Sequence, residues 1–286
     1  MEQLAQQQFT KQFINGEWKD GSSTKSITSY NPYNGEELVT IQAANQQDLD
    51  DAYEAAARAQ KVWEATPLVE KQQRFEQLVA VLQSKRELII DWLINEAGGT
   101  KLKATSEFNS ALRIVKESAS FLTRLTGQIL PSYVPNKENR VYRTAKGVIG
   151  VIGPWNFPFL LSMRSIAPAI ATGNGVVIKP ASDTPVTSGL LFGEIFEEAG
   201  FPAGLVNVIV GRGSEIGDAF VQHPIPSLIS FTGSTEVGRR IGELAGYHLK
   251  DVALELGGNN VMVVLKDANI ERAARAAAFG KFMHQG

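Results

Sequence analysis

The second half of the sequence predicts an α/β fold, a parallel sheet flanked by helices. Three observations carry the prediction. From Gly147 onward, short apolar runs (148–152, 175–179, 206–210, 228–231, 252–256) alternate with helix-sized segments (160–171, 185–199, 215–221, 235–244). The runs are nearly continuous in Val, Ile and Leu, as expected of strands buried on both faces. Glycine and proline fall where runs end and helices begin, and an open parallel sheet with right-handed crossovers binds ligands at that edge.

The first half prepares this sheet. Asn15-Gly16 between Phe13 and Trp18 is a type I′ hairpin signal. Asn31-Pro32-Tyr33-Asn34-Gly35 is a second turn, before a strand at 37–41. Helical spacing of apolar positions predicts helices over 48–63, around Phe75 to Leu82, over 88–97 ending at Gly98-Gly99, and from Phe108 to about Leu125. Residues 127–146, with two prolines and then an extended run, read as a two-stranded excursion from the main body. After Gly257-Gly258, 261–265 predicts a strand and 269–283 a helix.

Composition narrows the function. The chain has 286 residues, 43% apolar and 20% charged, which suits a globular protein with a substantial core. Lys and Arg number 28 against 30 Asp and Glu, for a net charge of −2, so nothing favours nucleic acid. There is no cysteine, hence no disulfide and no thiolate metal site. Residues 1–8 lack the apolar core of a secretory leader, and the greasiest stretch, 148–163, is broken by Gly153, Pro154, Asn156 and Pro158. The expectation is a cytoplasmic protein that does not span a membrane.

Candidate chemistry sits at the strand ends. The run 148–152 stops at Pro154, which has no backbone donor, and Pro158 stiffens the turn. Asn156 is the group in that turn with amide donors. Gly211 to Gly217 reads G-x-G-x-x-x-G, one residue longer than the dinucleotide fingerprint, and ordinary turn glycines explain it equally well. In 231–235, Gly233 would let a ligand approach a helix N-terminus suited to phosphate, or Ser234 would simply cap that helix. Lys179 could reach a ribose hydroxyl, or could be a solvated strand-end lysine. Glu255, inside an apolar run, could be a partly desolvated general base, or could pair with a basic neighbour. His223, His248 and His284 show no ligand spacing, so no metal site is expected.

Together these stretches closely resemble the aldehyde dehydrogenase superfamily. The motifs are Pro154-Trp155-Asn156-Phe157-Pro158, Lys179-Pro180-Ala181, Phe231-Thr232-Gly233-Ser234-Thr235-Glu236-Val237-Gly238 and Glu255-Leu256-Gly257-Gly258, in the family's order. Residues 163–185 look most like the benzaldehyde and vanillin dehydrogenase branch. The resemblance implies a Rossmann-like domain that holds NAD or NADP, and oxidation of an aldehyde through a cysteine thioester. By the same resemblance Asn156 donates to the oxyanion and Glu255 activates the hydrolytic water. Around the cofactor it places Ile152, Trp155, Asn156, Lys179, Ser182, Gly213, Gly217, Phe231, Gly233, Ser234, Thr235, Glu236, Val237, Gly238, Leu256 and Gly257. It divides the chain into an NAD(P)-binding domain (1–126 and 147–257), an oligomerisation hairpin (127–146) and the start of a catalytic domain (258–286). It also implies a homo-oligomeric parent.

Two departures matter. Ser182 stands where members preferring NAD commonly carry a glutamate that repels a 2′-phosphate, so NADP becomes admissible. The family's nucleophile lies in F-x-x-x-G-Q-x-C, and Phe282 to Gly286 matches only its first half. The expectation is an N-terminal portion that does not oxidise aldehydes by itself and is poorly soluble alone. Two other readings remain: a non-catalytic nucleotide-binding or structural protein on the same domain, and an acylating relative, which would not need Glu255.

Overall fold

The computed structural model describes residues 7–284. The chain opens with a hairpin, β1 (Gln12–Ile14) and β2 (Glu17–Lys19). Its turn uses Asn15 and Gly16 at φ 56° and 78°, as a type I′ turn requires. A two-stranded sheet of β3 (Ser26–Tyr30) and β4 (Glu37–Gln42) follows, then α1 (Gln46–Ala65), α2 (Leu68–Ser84), α3 (Arg86–Asn95) and α4 (Lys101–Phe121). Asn45 starts α1 with a capping box closed by Asp48. The excursion is present as β5 (Gln128–Pro131) paired with β6 (Glu138–Val141), and both strands are exposed throughout.

The alternating half contains β7 (Val148–Ile152), α5 (Pro158–Ala171), β8 (Gly175–Lys179), α6 (Leu191–Glu198), β9 (Val206–Val208), α7 (Asp218–Gln222), β10 (Pro226–Thr232), α8 (Thr235–Tyr247), β11 (Asp251–Glu255) and α9 (Ile270–Phe282). The main sheet runs β11-β10-β7-β8-β9-β1-β2. Its first five strands are mutually parallel, and β1 joins β9 antiparallel. The N-terminal hairpin therefore covers an edge that would otherwise be open.

Side-chain alternation splits the core. Ile149, Val151, Val176 and Ile178 pack with Phe159, Met163, Ile166 and Phe192 of α5 and α6, backed by α2, α3 and α4. Val148, Val177, Ile229 and Phe231 face Tyr53 of α1, Phe220 of α7 and Ile241 and Leu244 of α8. Glu96, at the end of α3, is 3% exposed and accepts from Ser29 Oγ, the backbone of Val186 and Thr187, and Thr187 Oγ1. It ties β3 to the segment that leads into α6.

Three expectations need correction, and two features went unread. The predicted strand at 261–265 does not form. Strand propensity reflects packing on a pleated surface, and Val261 to Leu265 are exposed with no strand beside them among the described residues. The strand expected at 206–210 stops at Val208: beyond it Ile209 N makes one bond to Ile178 O, while Val210 is taken up by the Gln12 side chain and by Ala44 N. The helices expected at 185–199 and 215–221 begin as π-helical turns, Val186–Leu190 and Gly213–Gly217. Finally, the spacing gave no sign of β3, or that β1 extends the main sheet.

Gly150, at the middle of β7, has no room for a side chain. A Cβ there would lie 2.8 Å from both Tyr53 Oη and Phe220 Cε1 and 2.9 Å from Ile229 Cδ1. Gly150→Ala should destabilise the chain by about 1–3 kcal/mol through overpacking, read from the urea midpoint; an unchanged midpoint would contradict this packing.

Candidate functional site

The last rung of β7 is Gly153 N donating to Lys179 O at 3.0 Å. Pro154 cannot donate, so the ladder ends and the chain turns. Helix α5 begins at Pro158, a favourable first position because the missing N–H is not needed there. Within the turn, Asn156 Oδ1 accepts from Phe157 N at 2.9 Å. Its Nδ2 finds no acceptor among the described residues and remains a free donor on a half-buried side chain. The backbone oxygen of Asn156 accepts from Lys103 Nζ at 2.8 Å. Trp155 is 59% exposed. The ring of His284 lies against Trp155 and Phe157, with centroids 5.8 and 4.8 Å away.

Register places the other candidates on the same edge. Ile152 pairs with Lys179 on one side and Phe231 on the other, and Thr232 pairs with Glu255. Four adjacent parallel strands therefore end together, spanning about 14 Å from β8 to β11 at the usual strand spacing. Alternation then sorts the side chains. Lys179, Ile152 and Phe231 share the face covered by α1 and α8, whereas Glu255 points to the face covered by α5.

On the α8 face, Lys179 is 5% exposed, not the solvated lysine that the sequence alone allowed. Its Nζ donates to Pro180 O at 3.1 Å and Gly211 O at 3.3 Å, which brings the loops after β8 and β9 together. Burial lowers its pKa to about 8. Ser234 accepts from Val237 N at 3.3 Å, so it does cap α8. Thr235, Glu236 and Val237 are exposed at that N-terminus, where free N–H groups and the helix dipole suit an anion. Cβ atoms on Gly213 or Gly217 would meet nothing within 4 Å, so the space before this loop is open. Ser182 is half-buried just after β8. Gly233 and Gly238 answer to packing: a Cβ on either would strike Phe231 or Leu256 at 2.4 or 2.3 Å. Gly257 lies beside Thr235.

On the α5 face Glu255 follows the second of its two readings, the acid paired with a basic neighbour. Its side chain is 65% exposed, not desolvated, and an oxygen lies 3.5 Å from Arg164 Nη2 on α5. Nothing among the described residues covers β11 on that side, so the carboxylate takes the basic partner within reach. Arg164, Ser165, Ser230, Thr232 and Glu255 line one open depression there.

Sequence reasoning missed Arg164, Lys103, Glu107 and His284. Lys103 and Glu107 stand four apart on α4, a spacing that normally marks a solvated pair, so only the fold reveals their burial. His284, which shows no ligand spacing in the sequence, packs on the Asn156 turn. The remaining residues of that expected motif, Gln285 and Gly286, lie outside the described residues, as do residues 1–6 of the expected leaderless N-terminus. No helix among the described residues is long and apolar enough to cross a membrane.

The model of the Aldehyde dehydrogenase family matches residues 18–286. A vanillin dehydrogenase of Corynebacterium glutamicum is 56% identical over 279 residues, covering 97% of this chain and 58% of the relative. A benzaldehyde dehydrogenase of Bacillus subtilis is 50% identical over 280 residues, covering 98% of this chain and 58% of the relative. Among solved structures, an NAD-dependent benzaldehyde dehydrogenase from Corynebacterium glutamicum superposes with a TM-score of 0.93 at 56% identity, covering 97% of this chain and 60% of that one. The chain thus spans a little over half the length of these relatives.

The burial of Lys179 has a testable sign. Its folded pKa is about 8 against an ordinary 10.5, so between those values the unfolded chain holds a proton that the folded chain lacks. Stability therefore rises with pH through that window, by on the order of 3 kcal/mol if this lysine acts alone. Urea unfolding between pH 8 and 9.5 should show the rise in the parent and a flatter profile in Lys179→Met. Identical slopes would contradict the assignment.

Proposed function

The chain belongs to the aldehyde dehydrogenase family, and from that premise we propose that it is the cofactor-holding portion of an NAD(P)-dependent aldehyde dehydrogenase. The substrate class is aromatic aldehydes, in keeping with the names of the vanillin and benzaldehyde dehydrogenases it is similar to. The reading is carried by one observation: a free amide at Asn156 and a carboxylate at Glu255 border the same sheet edge as buried Lys179 and the open N-terminus of α8.

The residues present fit a dinucleotide. The α8 N-terminus at Ser234, Thr235 and Glu236 would take the pyrophosphate, and Lys179, with Ser182 near it, the adenosine ribose. The open space before Gly213 and Gly217 would admit the adenosine half, and Ile152, Trp155 and Phe231 would border the path toward Asn156. Ser182 offers no charge against a 2′-phosphate, so both NAD and NADP are accepted. The cofactor, when bound, supplies the hydride acceptor. Asn156 Nδ2 then donates to the oxygen that gains charge on the aldehyde carbon. Glu255 leaves Arg164 to take a proton from the water that releases the acid.

The 286 residues hold no cysteine, so on this reading a thiol nucleophile would have to come from outside them. His284 seats the end of the described chain against the Asn156 turn, and a thiol a few residues further on would arrive beside the amide. We divide the chain accordingly: 1–126 and 147–257 bind the cofactor, and 258–286 begins the catalytic domain. The hairpin at 127–146, with Ile129, Leu130 and Tyr142 exposed, joins subunits of a homo-oligomer. The same reading takes the protein to be cytoplasmic, in keeping with a chain that holds no cysteine.

Titration of the chain with NADH and with NADPH, followed by energy transfer from tryptophan, should show both binding. Lys179→Met should weaken both by roughly tenfold or more, as loss of a charged hydrogen bond does. Absence of binding, or equal affinity in the variant, would refute the cofactor assignment. Benzaldehyde with NAD should give no NADH from the 286-residue chain; NADH production would refute the need for an outside thiol.

A further inference from the structure

We propose that Lys103 and Glu107 of α4 are positioning residues that hold the Asn156 turn in place from behind, one gripping the carbonyl of Asn156 and the other the first amides of α5. The inference rests on the reading above, in which the Asn156 amide serves the reaction. The contacts stand independently of it.

Lys103 and Glu107 are each 1% exposed. Lys103 Nζ donates to Asn156 O at 2.8 Å and stands 4.6 Å from the centroid of the Phe157 ring. Glu107 Oε1 accepts from Phe159 N at 2.9 Å and from Leu160 N at 3.2 Å. Its Oε2 has no hydrogen bond and lies 3.6 Å from Lys103 Nζ. Neighbouring positions on one rigid helix therefore pin both ends of the segment 156–160. Room for the lysine is provided at Gly99, where a Cβ would sit 3.2 Å from Lys103 Cδ.

Stability alone does not account for this pair. Burying a lysine and a glutamate is costly, and a well-packed apolar pair of similar volume is often as good or better. An apolar pair could not bond the carbonyl of residue 156 or two helix amides. A carboxylate at a helix N-terminus and a cation on a carbonyl both need fixed geometry to recover their desolvation. What they fix is the turn at the sheet edge that carries the Asn156 side-chain amide, whose Nδ2 has no acceptor among the described residues. Lys103 and Glu107 are buried, so the grip comes from the protein interior, whereas Arg164, Ser165 and Glu255 line an open depression.

The Phe157 amide reports the outcome, because it donates to Asn156 Oδ1. Hydrogen exchange of the 286-residue chain, read at single residues by fragmentation mass spectrometry at micromolar concentration, tests the proposal without needing activity. Lys103→Met should speed exchange at Phe157 by about tenfold or more. Glu107→Gln, nearly isosteric and suited to the case where the methionine variant does not fold, should do the same at Phe159 and Leu160. Both should leave Val177 in β8 and Leu49 in α1 within about twofold of the parent. Unchanged exchange at Phe157, Phe159 and Leu160 in folded variants, or an equal rise throughout the chain, would overturn the proposal. NADH binding measured on the same variants separates the two readings: normal affinity with faster Phe157 exchange supports positioning, whereas failure of the parent to bind NADH sinks the cofactor assignment alone.

Discussion

The structure depends on how one central strand is allowed to end. β7 lies between β10 and β8, buried and bonded on both sides. Such a strand cannot stop in mid-sheet without leaving backbone groups unpaired at a cost. Gly153 makes the final bond to Lys179 O, and Pro154 brings no donor that needs satisfying. Beyond that point the backbone is held by side chains: Thr184 Oγ1 reaches Pro154 O at 3.5 Å, and Lys103 takes Asn156 O. The turn is irregular in conformation yet anchored at Pro154 O, Asn156 O and Phe157 N, which suits a donor group that must be held in place.

From that ending the two faces of the sheet acquire different jobs. The α8 face is apolar up to its rim, where buried Lys179 and the amides of α8 offer positive potential to an anion. The α5 face ends in Glu255 and Arg164, charged and open. A nucleotide lying along one face and a substrate approaching from the other would meet only above the strand ends, beside Asn156. On the proposed reading the sheet would separate affinity for cofactor from chemistry on substrate. The cost shows in the exposed apolar residues of 261–265 and of α9, with Phe279 and Phe282 60% and 69% exposed. Nothing among the described residues covers these surfaces.

Much of this was legible in the residues. The buried parallel strands announced themselves by uninterrupted Val and Ile, and 148–152 and 175–179 are occupied as read. Hairpin and helix stops were legible because Asn15, Gly16 and Gly98 take positive φ, a local demand that residue type records. Position along the edge was legible for Asn156, Lys179 and Glu255 because strand ends follow from punctuation. Environment was not. Lys179 is buried rather than solvated, and Glu255 is the acid paired with a basic neighbour rather than the desolvated one; residue type could not choose, because burial depends on which distant segments close over a site. The Lys103–Glu107 pair is the extreme case, since its spacing on α4 is that of countless solvated pairs. Residues 261–265 failed for a related reason: a strand exists only with a partner.

The most direct test of the central claim is a structure of this chain with NADH or NADPH bound. The account predicts the pyrophosphate on the backbone amides of Thr235 and Glu236, a ribose hydroxyl within hydrogen-bond reach of Lys179 Nζ, and the nicotinamide directed over the end of β7 toward Asn156. A dinucleotide lying on the α5 face, or bound away from the ends of β7, β8 and β10, would contradict it.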